Sequence, residues 1–156
     1  MKQSILFSIV ASLFLFLLLA CNSEQNPVPH VTSTDIDQIK FELLDKTIMP
    51  EGIIFAIKLK NLSKFTIAQN NVYISFPIKL SIGSRGNEFK IEAKNNKLQI
   101  KPKEEIILNA FAPIEEYEKN QKLDIENFAI EIIGYIEEVK EERRFQKYGG
   151  LEAYNR

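Results

Sequence analysis

Cys21 is the single cysteine and His30 the single histidine of this 156-residue chain. A thiol attacks carbon as its thiolate, and an imidazole moves protons near neutral pH. Nucleophilic catalysis also needs a fold that holds nucleophile and base together and a third group that orients the base. His30 instead sits in a Pro- and Ser/Thr-rich stretch, Asn22 to Asp35, and reads as a solvated residue. No G-x-S-x-G motif is present, and Gly83-Ser84-Arg85-Gly86 lacks both the spacing and the Lys-Ser/Thr of a phosphate loop. One Cys and one His exclude an internal disulfide and Cys/His zinc patterns. Adjacent carboxylates such as Glu104-Glu105 and Glu115-Glu116 read as solvated turn residues. With no Trp in the chain, there is no sign of an aromatic sugar cleft for a glycosidase. The sequence therefore predicts no enzyme, no metal and no cofactor. With 20 Lys plus Arg against 21 Asp plus Glu, the net charge of −1 gives no case for nucleic acid as partner.

The surroundings of Cys21 give the thiol a different chemistry. Lys2 precedes an apolar run from Ile5 to Leu19, which meets Ala20 and Cys21 and stops at the polar Asn22-Ser23-Glu24. This is the layout of a helical secretory signal peptide over residues 1–20. Leu18-Leu19-Ala20-Cys21 resembles the lipobox of bacterial lipoproteins. That resemblance implies cleavage between Ala20 and Cys21, an S-diacylglyceryl group on the Cys21 sulfur and an acyl group on its nitrogen. It implies a protein anchored to membrane lipid on the extracytoplasmic face of the cell membrane. Each buried methylene contributes about 0.8 kcal/mol, so one chain anchors weakly and two anchor durably. Three other readings stand beside it: an uncleaved anchor over Ser4–Cys21, cleavage elsewhere, and an ordinary buried thiol.

The elements that would carry a site follow downstream. Residues 21–35 read as a lipidated tether, roughly 20 Å long as a flexible coil. From residue 36 the period is two. Ile39-Phe41-Leu43, Ile53-Phe55-Ile57-Leu59, Val72-Ile74-Phe76-Ile78 and Phe89-Ile91-Ala93 alternate with polar residues. Leu98-Ile100, Ile106-Leu108-Ala110 and Phe128-Ile130-Ile132-Gly134-Ile136 complete about seven strands. Pro50-Glu51-Gly52, Asn61 to Lys64, Gly83 to Asn87, Asn95-Asn96 and Pro102-Lys103 separate them as turns. Pro77 cannot donate to a ladder, so the strand containing it is expected at an edge or at a bulge, and Val72 to Lys79 becomes a candidate for strand addition. A short helical turn is expected at Ile114 to Tyr117. The arrangement over residues 36–138 resembles immunoglobulin-like modules without their cysteine pair and tryptophan, which implies an all-β sandwich. A partly closed barrel is the alternative.

Residues 139–156 read as a charged C-terminal extension with a loose end after Gly149-Gly150. Phe145, Tyr148 and Tyr154 are its candidates for partner binding, because aromatics and Arg dominate binding hot spots. The competing reading has Phe145 and Tyr148 covering the end of the sandwich. The functional expectation is a non-catalytic binding or adaptor module that the lipid holds near a protein partner. The alternative is an envelope-associated protein that meets anionic wall polymer through Lys58, Lys60, Lys64, Lys79 and Arg85.

Overall fold

The computed structural model describes residues 30–117 and 122–154. Ala20 and Cys21, with the signal and lipidation they carry, lie outside the described residues. The compact unit begins at Val31, earlier than the expected boundary at residue 36. Thr32 opens a short helix α1 (Ser33–Asp37) with a reciprocal capping box. Its backbone N–H donates to Asp35 Oδ2 at 2.9 Å, and the Asp35 N–H donates back to Thr32 Oγ1 at 3.3 Å. Val31 and Ile36 pack against the core, so the last third of the expected tether belongs to the domain.

The fold is mostly β, with antiparallel sheets packed together. β1 (Ile39–Met49), β2 (Gly52–Asn61) and β7 (Glu105–Pro113) form one sheet in the order β1-β2-β7. β3 (Ile67–Ser75), β6 (Ile91–Glu92), β8 (Ala129–Ile136) and β9 (Arg144–Gly150) form the second, in the order β6-β3-β8-β9. β4 (Ile78–Lys79) and β5 (Ser84–Arg85) make a small ribbon between them in sequence. Alternation puts Ile53, Phe55, Ile57 and Leu59 of one sheet and Val72, Ile74, Ile130 and Ile132 of the other into a single buried cluster. Phe55 packs on Phe128 at 4.8 Å and on Phe76 at 6.1 Å between ring centroids.

Several local expectations meet the chain as folded. Asn95 and Lys103 hold left-handed backbone in their turns, and Ile114–Glu116 forms a 3₁₀ turn. Asn61 makes the turn that follows β2: its Nδ2 donates to Phe65 O and Ile100 O, while its Oδ1 accepts from Ser63 N and Oγ. Gly52 lets the β1–β2 hairpin lie against β7, since a Cβ there would come within 2.2 Å of Ala112 O.

Two expectations are corrected. The strand before Pro77 is not at an edge: β3 ends at Ser75 and lies between β6 and β8, so Val72 to Lys79 has no free ladder. Leu98-Ile100 forms no strand beyond a bridge from Ile100 to Ile67. The sheet also continues past residue 138. β9 pairs with β8 from Ala129↔Gly150 to Tyr135↔Arg144, and helix α2 (Leu151–Tyr154) follows directly, where a loose end was expected.

Candidate functional site

The outer face of the second sheet is set by the residues that alternate with its buried ones. Val72 and Ile74 point inward, so Asn71, Tyr73 and Ser75 point outward. Ile130, Ile132 and Ile136 point inward, so Glu131, Ile133 and Tyr135 point outward. Register then aligns rows across the strands. Glu92, Tyr73, Glu131 and Tyr148 form one; Asn71, Ile133 and Gln146 the next; Gln69, Tyr135 and Arg144 the third. Neighbouring strands lie about 4.8 Å apart, so Tyr73 and Tyr148 flank Glu131 at a separation of roughly 10 Å. Three of the five tyrosines thus share one sheet face with three amide side chains and an arginine.

Glu131 is the anchor of this face. It is 4% exposed although it points away from the core. Its Oε2 is ion-paired with Lys90 Nζ, and Gln146 Nε2 donates to its Oε1 at 2.5 Å. A buried carboxylate is tolerated only when paired and hydrogen-bonded, and both conditions hold here. Asn71 Nδ2 reaches Tyr73 Oη at 3.2 Å and Glu92 Oε1 at 3.4 Å. These bonds hold the Tyr73 ring and the Asn71 and Gln146 amides in place. The face has no nucleophile with a base. Among the described residues no group of three or more His, Cys, Asp or Glu could hold a metal ion.

The candidates of the C-terminal stretch separate. Tyr148 lies in this face and is 47% exposed. Phe145 is buried against Gly134, where a Cβ would come within 2.9 Å of its ring. Tyr154 is fully buried, which removes it from any surface. It closes the seam between β1 and β9. Its ring meets Phe41 edge-on at 4.8 Å, and its hydroxyl lies 3.0 Å from Ile130 O and 2.9 Å from Lys147 O. Burial, with the charge of Glu131 next, pushes the Tyr154 hydroxyl well above its ordinary pKa of 10.0. Lys147 Nζ lies over the Tyr154 ring at 4.6 Å and 3.4 Å from Asp37 Oδ1. Burial holds the Lys147 ammonium below its ordinary pKa, against the pull of Asp37.

Reasoning from sequence did not single out Tyr73 and Tyr135. The signal was present, since each occupies the outward phase of a strand whose inward phase is apolar or glycine save for Asn70. The lysines proposed for wall polymer are mostly engaged. Lys60 pairs with Glu42 at 2.7 Å, Lys58 with Glu105 at 3.5 Å, Lys64 with Asp35 at 3.5 Å and Lys79 with Asp124 at 3.7 Å. No protein-family model matches this chain, and no curated protein matches its sequence.

Proposed function

We propose that this chain is a lipoprotein anchored at the extracytoplasmic face of the cell membrane, whose β domain binds a protein partner without catalysis through the outer face of β3, β8 and β9. The observation that carries the binding reading is the row Tyr73–Glu131–Tyr148, with Tyr135, Asn71, Gln146 and Arg144 around it. Tyr gives large contact area at small entropic loss, Arg adds forked hydrogen bonding, and both are enriched at protein interfaces. The lipobox-like sequence before Cys21 supports the anchor, and a surface tether raises the local concentration of a weakly binding module. We also read the domain as an immunoglobulin-like sandwich. The division of strands into β1-β2-β7 and β6-β3-β8-β9, in which the chain passes from one sheet to the other after β2 and again after β7, supports that reading.

The test places a photo-crosslinking residue at Tyr148 or, on the opposite sheet, at Lys58, in the intact protein in its native membrane. The expected result is a discrete protein adduct from position 148 and none from 58. Equal labelling at both positions, or adducts at neither, refutes the binding face. Mass spectrometry of the mature N-terminus tests the anchor independently; an unmodified Cys21 refutes it.

A further inference from the structure

Glu131 lies on an interior strand with its carboxylate outward, yet it is covered. The sheet itself offers it no cation. Its outward neighbours across the register are Tyr73 on β3 and Tyr148 on β9, with Asn71 and Gln146 one row on. The cation that meets it comes from a loop: Lys90 Nζ, in the stretch leading from β5 to β6. Residues 80–90 are all exposed except Asn87. The stretch is tied to itself, by Leu80 N to Gly83 O at 3.0 Å and by Phe89 N to Asn87 Oδ1 at 3.1 Å. It passes close to Tyr148, since a Cβ on Gly86 would lie 3.6 Å from that hydroxyl. The Lys90 side chain stays 35% exposed, so solvent reaches it while the carboxylate stays covered.

We infer that Glu131, between Tyr73 and Tyr148, is a site for a basic side chain of the protein partner. Lys90 fills it from within the chain until the partner's ammonium or guanidinium takes its place. The inference rests on the reading of the β3, β8 and β9 face as a binding surface. A carboxylate so buried must keep a cation, and exchange of one cation for another preserves the pairing that simple loss of Lys90 would break. Two flanking tyrosine rings favour a cation between them. Gln146 holds the other carboxylate oxygen at 2.5 Å, so the acceptor keeps its place as the cations exchange. The loop that brings Lys90 has little to lose on moving, because its residues already lie in water. A partner that must displace a tethered competitor binds more weakly by the fraction of time the site is open, so the loop regulates the face it covers.

Two measurements on the intact protein test this. In mild detergent, Lys90→Gln removes the cation and keeps a hydrogen-bond donor. Methylguanidinium chloride is expected to raise the melting temperature of this variant saturably, by about 5 °C at ten times its dissociation constant. Sodium chloride of equal ionic strength should not, and Lys90→Gln/Glu131→Gln should not respond to either salt. No saturable rise, or an equal rise in the double variant, overturns the cation site. In the native membrane, a photo-crosslinking residue at Arg144 reports the partner from the third row of the same face. Adduct yield is expected to rise about threefold or more with Lys90→Gln. It is expected to fall about tenfold or more with Glu131→Gln, which keeps the shape of the side chain and needs no cation in order to fold. A yield indifferent to Glu131→Gln overturns the inference and leaves the face as a binding surface. No adduct from any variant overturns the face itself, and the inference with it.

Discussion

Removing the Tyr154 side chain should open the seam between the sheets, and the size of the effect follows from its contacts. The residue is fully buried and is the last of the described chain, at the end of α2. An aromatic side chain buries roughly 150–250 Å², which at about 25 cal/mol per Å² corresponds to roughly 4–6 kcal/mol. Partial collapse of the short helix α2 into the space lowers this, so Tyr154→Ala is expected to cost about 3–5 kcal/mol. Tyr154→Phe keeps the edge contact with Phe41 and loses only the hydroxyl bonds to Ile130 O and Lys147 O, about 1 kcal/mol. For a domain of this size each kcal/mol lowers Tm by roughly 3–4 °C. Thermal melts followed by circular dichroism should therefore show a fall of roughly 10–20 °C for Ala and about 3–4 °C for Phe. Truncation after Gly150 should behave like the Ala variant. Alkali adds a signature. Because the folded state raises the Tyr154 pKa, the unfolded chain ionises first, near pH 10.0, and stability is lost as pH climbs past that value. The difference between the parent and Tyr154→Phe should therefore shrink above that pH. A truncated protein that melts with the parent would refute the argument, because it would mean that the seam is closed without α2.

Three further outcomes are expected. Gly52→Ala and Gly134→Ala should each lower stability by about 1–3 kcal/mol in urea titrations, because the added methyls meet the backbone oxygens of Ala112 and Gln69. Two buried asparagines should respond in opposite senses: Asn61→Ala loses four hydrogen bonds and destabilises by about 2–3 kcal/mol, whereas Asn70→Val removes a buried amide with no hydrogen-bond partner and stabilises by about 1 kcal/mol. Asp35, Glu42, Glu104 and Asp124 all have lowered pKa values, led in turn by hydrogen bonds with Thr32, Lys60, Lys97 and Asn127. Their stabilisation is complete above the ordinary carboxylate range and is lost as pH falls through it, so the urea midpoint should drop on acidification below about pH 4.

The alternating runs were legible because their inward residues are uniformly apolar: β2, β7 and β8 lie where the period of two puts them. β9 was not, because its inward phase is Phe145, Lys147 and Gly149. A lysine on the inner phase breaks the pattern, and only the seam explains it, since there its ammonium reaches Asp37 and the Tyr154 ring. Pro77 misled in a related way. It does end a ladder, but by stopping β3 rather than by marking an edge, and sheet position is a long-range property. Residues 32–35 looked like tether because one helical turn has no periodicity to read, although the Thr32-to-Asp35 spacing of the capping box was there. Of the candidate face, Tyr148 was legible from its aromatic-cationic surroundings. Tyr73 and Tyr135 join it through a register that pairs residues far apart in sequence.

That register also bears on the order in which the domain assembles. The β1–β2 hairpin closes through a tight turn, whereas β3 must find β8 at a sequence separation of 54 to 69, from Ser75↔Ala129 to Ile67↔Ile136. Long-range pairing of this kind is slow, and until it forms β8 has only β9 beside it, with its other edge, a run rich in isoleucine, open. Such a run is prone to stack on its own kind unless a charge interrupts it. Glu131 sits inside that run. The carboxylate that needs Lys90 and Gln146 to be tolerated in the folded protein is, before folding, the residue that keeps the strand soluble.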